Sequence, residues 1–309
     1  MRFVVALGGN AISRRGEDIT VDNQRRNLRA ACRTLVDCAR GHELVITHGN
    51  GPQVGLLALQ NAAYEALAPY PLDVLGAETQ GMIGYLIEIE MRNVMANAEY
   101  LTTVLTLTEV SLDDPAFARP TKFVGPVYDD DAAMRIGAQT GWQFARDGAS
   151  LRRVVASPQP RRVVQVDSCR RLLAGGHIVV AAGGGGIPVA RDRNGELVGV
   201  EAVIDKDASS AVLAANLDAD VLVMATDAAA VCLDWGTPDE RALRRVGTVE
   251  LGRHEFADGS MGPKATAARR FVEATGHRAV IGRLDDLPAL LDGSAGTSIV
   301  PGEGGEDCY

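Results

Sequence analysis

Two hydrophobic periods alternate along this chain. Short apolar runs at Val4–Leu7, Leu44–Thr47, Leu101–Leu107, Ile178–Ala182, Val221–Ala225, Arg278–Ile281 and Thr297–Val300 predict strands. Between them lie stretches of helical period. From Asp22 to about Arg40 the residues Leu28, Ala31, Cys32, Leu35, Val36 and Ala39 form one apolar stripe, with Asp22 placed to cap its start and Gly41 its end. Gln80–Ala98 is apolar on most sides (Met82, Ile83, Leu86, Ile87, Ile89, Met91), which predicts a helix buried in the core or lying at a subunit interface, with the core favoured. Asp207–Asn216 and Lys264–Thr275 predict two more helices, and Asp192-Arg193-Asn194-Gly195 a hairpin turn. Strands alternating with helices indicate a mainly parallel sheet with helices on both faces.

The pattern breaks from about Ser111 to Arg162, a stretch rich in Pro, Gly and Asp with one short helix expected over Asp131–Thr140. It reads as an inserted flap or small protruding subdomain. Asp129-Asp130-Asp131 reads as the acidic start of that helix rather than a metal site, and no metal ligand is assigned. The tail Gly302–Tyr309 is expected to be loose.

Composition adds limits. A chain of 309 residues can bury a large core, as one domain or as two lobes. A net charge of −9 argues against a nucleic-acid partner, and no apolar stretch reaches the length of a membrane span. The N-terminus, where Arg2 leads straight into a strand, does not resemble a signal peptide. Five scattered cysteines without a C-x-x-C pair fit reduced thiols, hence a cytoplasmic protein. Of 31 basic residues only three are lysine: Lys122, Lys206 and Lys264. Lysine is a compact point charge able to follow a moving phosphoryl group, whereas arginine is a planar fork.

Three apolar strands run into glycine turns, Gly8-Gly9-Asn10, Gly49-Asn50-Gly51 and Gly183-Gly184-Gly185-Gly186. In an open parallel sheet such turns gather at the carboxyl ends of the strands, where their N–H groups can hold anions. There is no G-x-x-x-x-G-K-[ST] loop, and the Gly49, Gly51, Gly55 spacing is a weak match to a dinucleotide fingerprint. Lys206 stands between Asp205 and Asp207 just before a helix, and Lys264 follows a glycine-proline turn at the start of another. A cation beside a helix N-terminus makes a good phosphate site.

These motifs together resemble the carbamate kinase family. The match is carried in order by Val5-Ala6-Leu7-Gly8-Gly9-Asn10-Ala11, His48 to Gly55, Thr79-Gln80-Gly81, Pro120-Thr121-Lys122, Gly183 to Pro188, Ala202 to Asp207, and Gly259-Ser260-Met261 with Pro263-Lys264. Most of the wider amino acid kinase superfamily has a lysine just before the first double glycine. Here Ala6 and Leu7 stand there, as in carbamate kinases, where the lysine matching Lys206 does that work.

The resemblance implies a homodimer of three-layer αβα sandwiches, each a single domain. One lobe, about 1–200, would carry the protruding subdomain and bind carbamate or carbamoyl phosphate through Gly8, Gly9, Asn10, Gly49, Asn50 and Gly51. The other, about 201–309, would bind ATP or ADP with Mg2+. The nucleotide would lie against Gly184, Gly185, Asp205, Thr226, Asp227, Val231, Met261 and Pro263. Lys206 and Lys264 would grip the transferring group, Asp207 would orient them, and Lys122 would close over the site. A place in arginine metabolism is implied as well.

Two departures from the family pattern stand out. The flap has Asp147-Gly148-Ala149-Ser150-Leu151-Arg152-Arg153 where the family usually has Asp-Ala-Gly-Arg-Gly-aromatic-Arg-Arg. Ala229 and Ala230 stand where an acid and its neighbour are often found. Three alternatives remain at this point: a kinase of the same fold acting on another small carboxylate, a weakly active ligand sensor, and a dinucleotide reductase. The sensor requires Lys206 or Lys264 to point away from the glycine turns.

Overall fold

A computed structural model describes residues 1–14, 16–64, 70–95, 100–257 and 260–309. Its centre is a sheet whose strands run, from one edge, Val231–Leu233, Arg241–Gly247, Thr297–Val300, Arg278–Arg283, Val221–Thr226, Arg2–Leu7, Glu43–His48, Ile178–Val180 and Leu101–Thr103. The six strands from Arg278–Arg283 to Leu101–Thr103 are all parallel; antiparallel pairs occur only towards the other edge.

Alternation along the buried strands builds the layers, because successive side chains point to opposite faces. Phe3, Val5 and Leu7 face one side with Leu44 and Ile46, and pack against Leu28, Cys32 and Leu35 of helix Val21–Ala39 and Ile83, Leu86 and Ile87 of helix Leu72–Arg92. Val4 and Ala6 face the other side with Leu222 and Met224, and pack against helices Val166–Ala174, Lys206–Asn216 and Met261–Thr275. The result is the expected three-layer αβα sandwich. No helix among the described residues is long and apolar enough to cross a membrane.

Helix Leu72–Arg92 is mainly core, as its sequence predicted. It starts eight residues before the expected Gln80, because the Glu201 carboxylate accepts the Leu72 N–H at 2.7 Å and caps the start. It ends at Arg92; the expected end at Ala98 lies outside the described residues. In the first helix Thr20, not Asp22, is the cap, accepting the Asn23 N–H, while Gly41 takes the left-handed conformation just past the end.

The predicted strand Leu101–Leu107 is two strands in two sheets. Leu101–Thr103 joins the central sheet, and Leu107–Glu109 pairs with Ile187–Arg191 in a four-stranded sheet with Leu197–Gly199 and Arg162–Val163. The break falls where the Gln80 side chain accepts the Thr106 N–H at 2.8 Å and donates to the Thr106 carbonyl at 3.0 Å. The chain then forms the flap: strands Lys122–Tyr128, Gln143–Asp147 and Ser150–Val155 with helix Asp130–Thr140, which Asp129 caps through the Ala132 N–H.

The tail is not loose. Asp307–Cys308 pairs with Arg241–Gly247, Glu306 meets Arg241 and His254, and the Tyr309 hydroxyl donates to the Gly296 carbonyl at 2.8 Å. Its polar composition suggested freedom, but distant partners supply the bonds.

Candidate active site

The chain returns on the opposite side of strand Arg2–Leu7 after building the Glu43–His48 side, so the sheet changes direction there. Such a switch point opens a crevice at the carboxyl ends of the strands. The three glycine turns follow Leu7, His48 and the strand ending at Val180 along that edge. Ala182 enters the third turn in the left-handed region (φ 49), a strained conformation for a non-glycine residue, which ends the strand short of the predicted Ala182.

Two cavities open on this edge. The larger, about 640 Å³, is lined by Gly8, Gly9 and Asn10 together with Thr226, Asp227, Met261 and Lys264. The smaller, about 270 Å³, is lined by Gly49, Asn50, Gly51, Gly184, Lys122, Asp205, Lys206, Asp207, Pro263 and Lys264. Gly9, Ser260 and Lys264 border both.

The residues predicted from sequence are therefore gathered, but sorted differently. Gly8 and Asn10 face the larger cavity, where Asn10 Nδ2 donates to Asp227 Oδ2 at 2.8 Å. Gly184, Asp205 and Pro263 face the smaller one. Gly185 and Val231 line neither. Val231 is fully buried in the core and donates its N–H to Thr297 Oγ1, so it offers no surface to a ligand in this structure. Gly259 lies outside the described residues.

The lysines form one connected array. Asp205 caps helix Lys206–Asn216, its side chain accepting the N–H groups of Asp207 and Ala208. This places Lys206 and Asp207 in the first turn. Lys206 Nζ donates to Asp207 Oδ1 at 2.6 Å and reaches the Ala6 carbonyl at 3.5 Å. Its ammonium thus lies beside the end of the first strand, the place a lysine before the double glycine would fill. Lys264 Nζ approaches Asp207 Oδ2 at 3.3 Å from helix Met261–Thr275, which starts before rather than after Gly262-Pro263. Lys122 Nζ comes from the flap to Asp205 Oδ2 at 2.5 Å. Both Lys206 and Lys264 face the glycine turns, which removes the condition the sensor alternative needed.

Electrostatics follow from burial. Desolvation pushes the Lys206 pKa down; Asp207 opposes the shift and Lys264 adds to it. Burial would raise Asp205, but the Lys122 ammonium and the capped N–H groups outweigh it and hold that carboxyl below its usual range.

The amino acid kinase family model matches residues 1–283. The carbamate kinase of Rhizobium meliloti is 52% identical over 301 residues, covering 97% of this chain and 93% of the relative. That of Haemophilus influenzae is 50% identical, covering 97% and 96%. This chain belongs to the carbamate kinase family. The structure of carbamate kinase from Giardia lamblia bound to AMP-PNP superposes with a TM-score of 0.89 at 37% identity, covering 97% of this chain and 98% of that one. Family membership makes the chain an enzyme, a kinase that transfers a phosphoryl group.

Two residues that shape this kinase site, Thr79 and Gln80, were not picked from the sequence as site residues. Asn50 Nδ2 donates to Thr79 Oγ1 at 2.8 Å, and Gln80 Nε2 donates to the Gly183 carbonyl at 3.0 Å. Thr79 is fully buried and Gln80 almost fully, beside the apolar face of helix Leu72–Arg92. That placement was the available signal, since buried polar groups must be paired. Gly184 (φ +65) is required where it stands: a Cβ there would lie 2.3 Å from Asn50 Nδ2.

His48 is buried beneath the second glycine turn, its Nδ1 3.0 Å from the Gly49 carbonyl. Burial pushes its pKa down to about 4; the Gly49 carbonyl opposes this, and Lys206 adds to it. An unfolded histidine titrates near 6.5. Between these values the unfolded chain binds the proton and the folded chain does not. Stability is therefore full above about pH 6.5 and falls as the pH drops towards 4. The expected loss from His48 between pH 7 and pH 5 is about 2 kcal/mol. Denaturant titrations at the two pH values measure it, and His48→Asn should remove that share of the difference. An unchanged pH dependence in the variant would show that His48 is not its source.

Proposed function

We propose that this chain is a carbamate kinase, which reversibly transfers a phosphoryl group between ATP and carbamate to give ADP and carbamoyl phosphate. One observation carries the reading: Asp207 holds Lys206 and Lys264 by its two oxygens where a nucleotide-sized cavity meets a small one. ATP or ADP is assigned to the larger cavity against Thr226, Asp227 and Met261, and carbamate or carbamoyl phosphate to the smaller. The AMP-PNP bound by the Giardia relative supports a nucleotide substrate. In this assignment the lobe about 201–309 supplies most of the nucleotide contacts. The first glycine turn, from lobe 1–200, contributes to both cavities.

The chemistry needs little more. Carbamate is an anion whose oxygen attacks without a general base, so a neutral, buried His48 is no obstacle. What the reaction needs is alignment of two anions and neutralisation of charge as the group moves. Lys206 and Lys264 provide fixed positive charge, the glycine turns provide N–H groups, and Lys122 covers the small cavity from the flap.

Mg2+ fits as a companion of the nucleotide. Asp205 and Asp207 are already engaged by lysines and Asp227 by Asn10, so a magnesium ion would be held chiefly by phosphate oxygens and water. When bound it supplies charge neutralisation between the phosphates. The homodimer reading is supported by Val74 and Tyr85. Both are large apolar residues exposed on helix Leu72–Arg92, and their spacing of eleven places them on one side. A cytoplasmic enzyme of arginine metabolism is the setting we infer.

The test is ATP formation from ADP with carbamoyl phosphate, run beside acetyl phosphate. Strong ATP formation with carbamoyl phosphate alone is expected. No activity above background overturns the proposal, and preference for acetyl phosphate moves the chain to another carboxylate.

A further inference from the structure

We propose that backbone contact between Gly55 and Gly125 is the seat of the flap, and that it sets how far Lys122 reaches into the small cavity. The inference rests on the carbamate kinase reading and assigns positioning residues to that same site.

Helix Gly51–Ala63 starts at the second glycine turn and runs beneath the flap strand Lys122–Tyr128. The two backbones touch at a pair of glycines. A Cβ on Gly55 would lie 1.9 Å from Gly125 Cα and 2.2 Å from its nitrogen. Neither backbone atom can turn aside as a side chain could, so any larger residue at 55 must lift the strand. Lys122 is three residues along that strand, and its Nζ ends on Asp205 Oδ2. A lifted strand carries the ammonium away from Asp205 and from the cavity.

The strand is shaped for this contact. Its pairing with Ser150–Val155 slips between Val124 and Val127, a bulge at which Gly125 adopts φ +72. Bulges of this kind re-aim side chains beside functional sites. Arg152 braces the bulge from the paired strand: Nε donates to the Gly125 carbonyl at 2.8 Å, and Nη1 to Asp147 Oδ2 at 3.3 Å. Both residues belong to the segment that departs from the family pattern, and here they hold the bulge.

The other side of the flap is fastened to the segment before Lys206. Arg153 stacks over Trp142, 3.8 Å from its ring centroid, and faces Glu201 at 3.8 Å, while the Val203 N–H donates to the Ala156 carbonyl at 3.0 Å. Val124 joins Val54, Ala58 and Val203 in one buried cluster. With these ties holding the sides, the glycine pair determines the height of the flap.

The experiment is a double-mutant cycle of Gly55→Ala with Lys122→Ala, reading KM for carbamoyl phosphate and for ADP. Alanine is a better helix former than glycine, so Gly55→Ala should not weaken its own helix. The variant is expected to raise KM for carbamoyl phosphate about tenfold or more, because misplacing a binding group by an ångström is costly. KM for ADP should stay within about twofold, and in the Lys122→Ala background the effect on carbamoyl phosphate should largely vanish, since coupled residues are not additive. Equal loss for both substrates, or an effect that multiplies with that of Lys122→Ala, overturns the proposal. If Gly55→Ala does not fold, Arg152→Gln, which releases the bulge, is put through the same cycle under the same criteria. A wild-type chain inactive on carbamoyl phosphate would sink the proposed function; an active one with an additive cycle sinks only the seat.

Discussion

Replacing Lys206 with arginine is expected to lower turnover by about a hundredfold or more, the scale of misplacing a catalytic group by about an ångström. The charge would survive the substitution, so the loss must come from geometry. Lys206 Nζ sits between Asp207 Oδ1 at 2.6 Å and the Ala6 carbonyl at 3.5 Å, with only 11% of the side chain exposed. A guanidinium is wider and planar, and it would pair with both Asp207 oxygens at once. That would displace Lys264 from Oδ2 and turn the cation away from the glycine turns. Steady-state rates of ATP formation at saturating substrates measure the effect. Turnover within a few-fold of wild type would remove Lys206 from the transferring group.

Asp207→Asn is expected to cost a similar factor, about a hundredfold, by a different route. The work of Asp207 is to hold two ammonium groups on one carboxylate, itself nearly buried with 5% of its side chain exposed. With asparagine there, Lys206 and Lys264 repel each other with only the Asp205 carboxylate, already paired with Lys122, left as a nearby countercharge. Burial already pushes the Lys206 pKa down and Asp207 is the chief force against it, so the variant's Lys206 should lose its proton at lower pH than in the wild type. The signature is therefore twofold: reduced turnover, and an alkaline fall in activity that begins at lower pH. A uniform loss with an unmoved alkaline limb would mean that Asp207 acts only in folding.

The two predictions separate position from charge. Lys206→Arg keeps the charge and changes the position; Asp207→Asn keeps the side-chain shape and changes the charge balance. The flap lysine offers a third term, because Lys122 reaches Asp205, the residue that caps the helix bearing Lys206 and Asp207. Closure of the flap and order at that helix start are thus joined through one carboxylate.

Much of this was legible in the chain itself. Apolar runs ending in glycines marked the strand ends, and three lysines among 31 basic residues marked the chemistry. Those features are local: a strand that stops at a turn, a helix that starts at a capping acid, a charge fixed next to both. The unbroken apolar run Phe3–Leu7 also marked a strand covered on both faces, since its successive side chains point to opposite sides and all are apolar. What only the tertiary structure decided was partnership between distant residues. Gln80 splits the strand expected at Leu101–Leu107 by bonding Thr106 from helix Leu72–Arg92. Val231 reads as a pocket residue until the sheet closes over it. The tail looks free until strand Arg241–Gly247 receives it. The seat of the flap is the clearest case, because Gly55 and Gly125 are seventy residues apart and neither carries a side chain to announce the contact. A glycine's local meaning can be read from its neighbours in sequence, but its role as a place where two backbones meet exists only once both are folded.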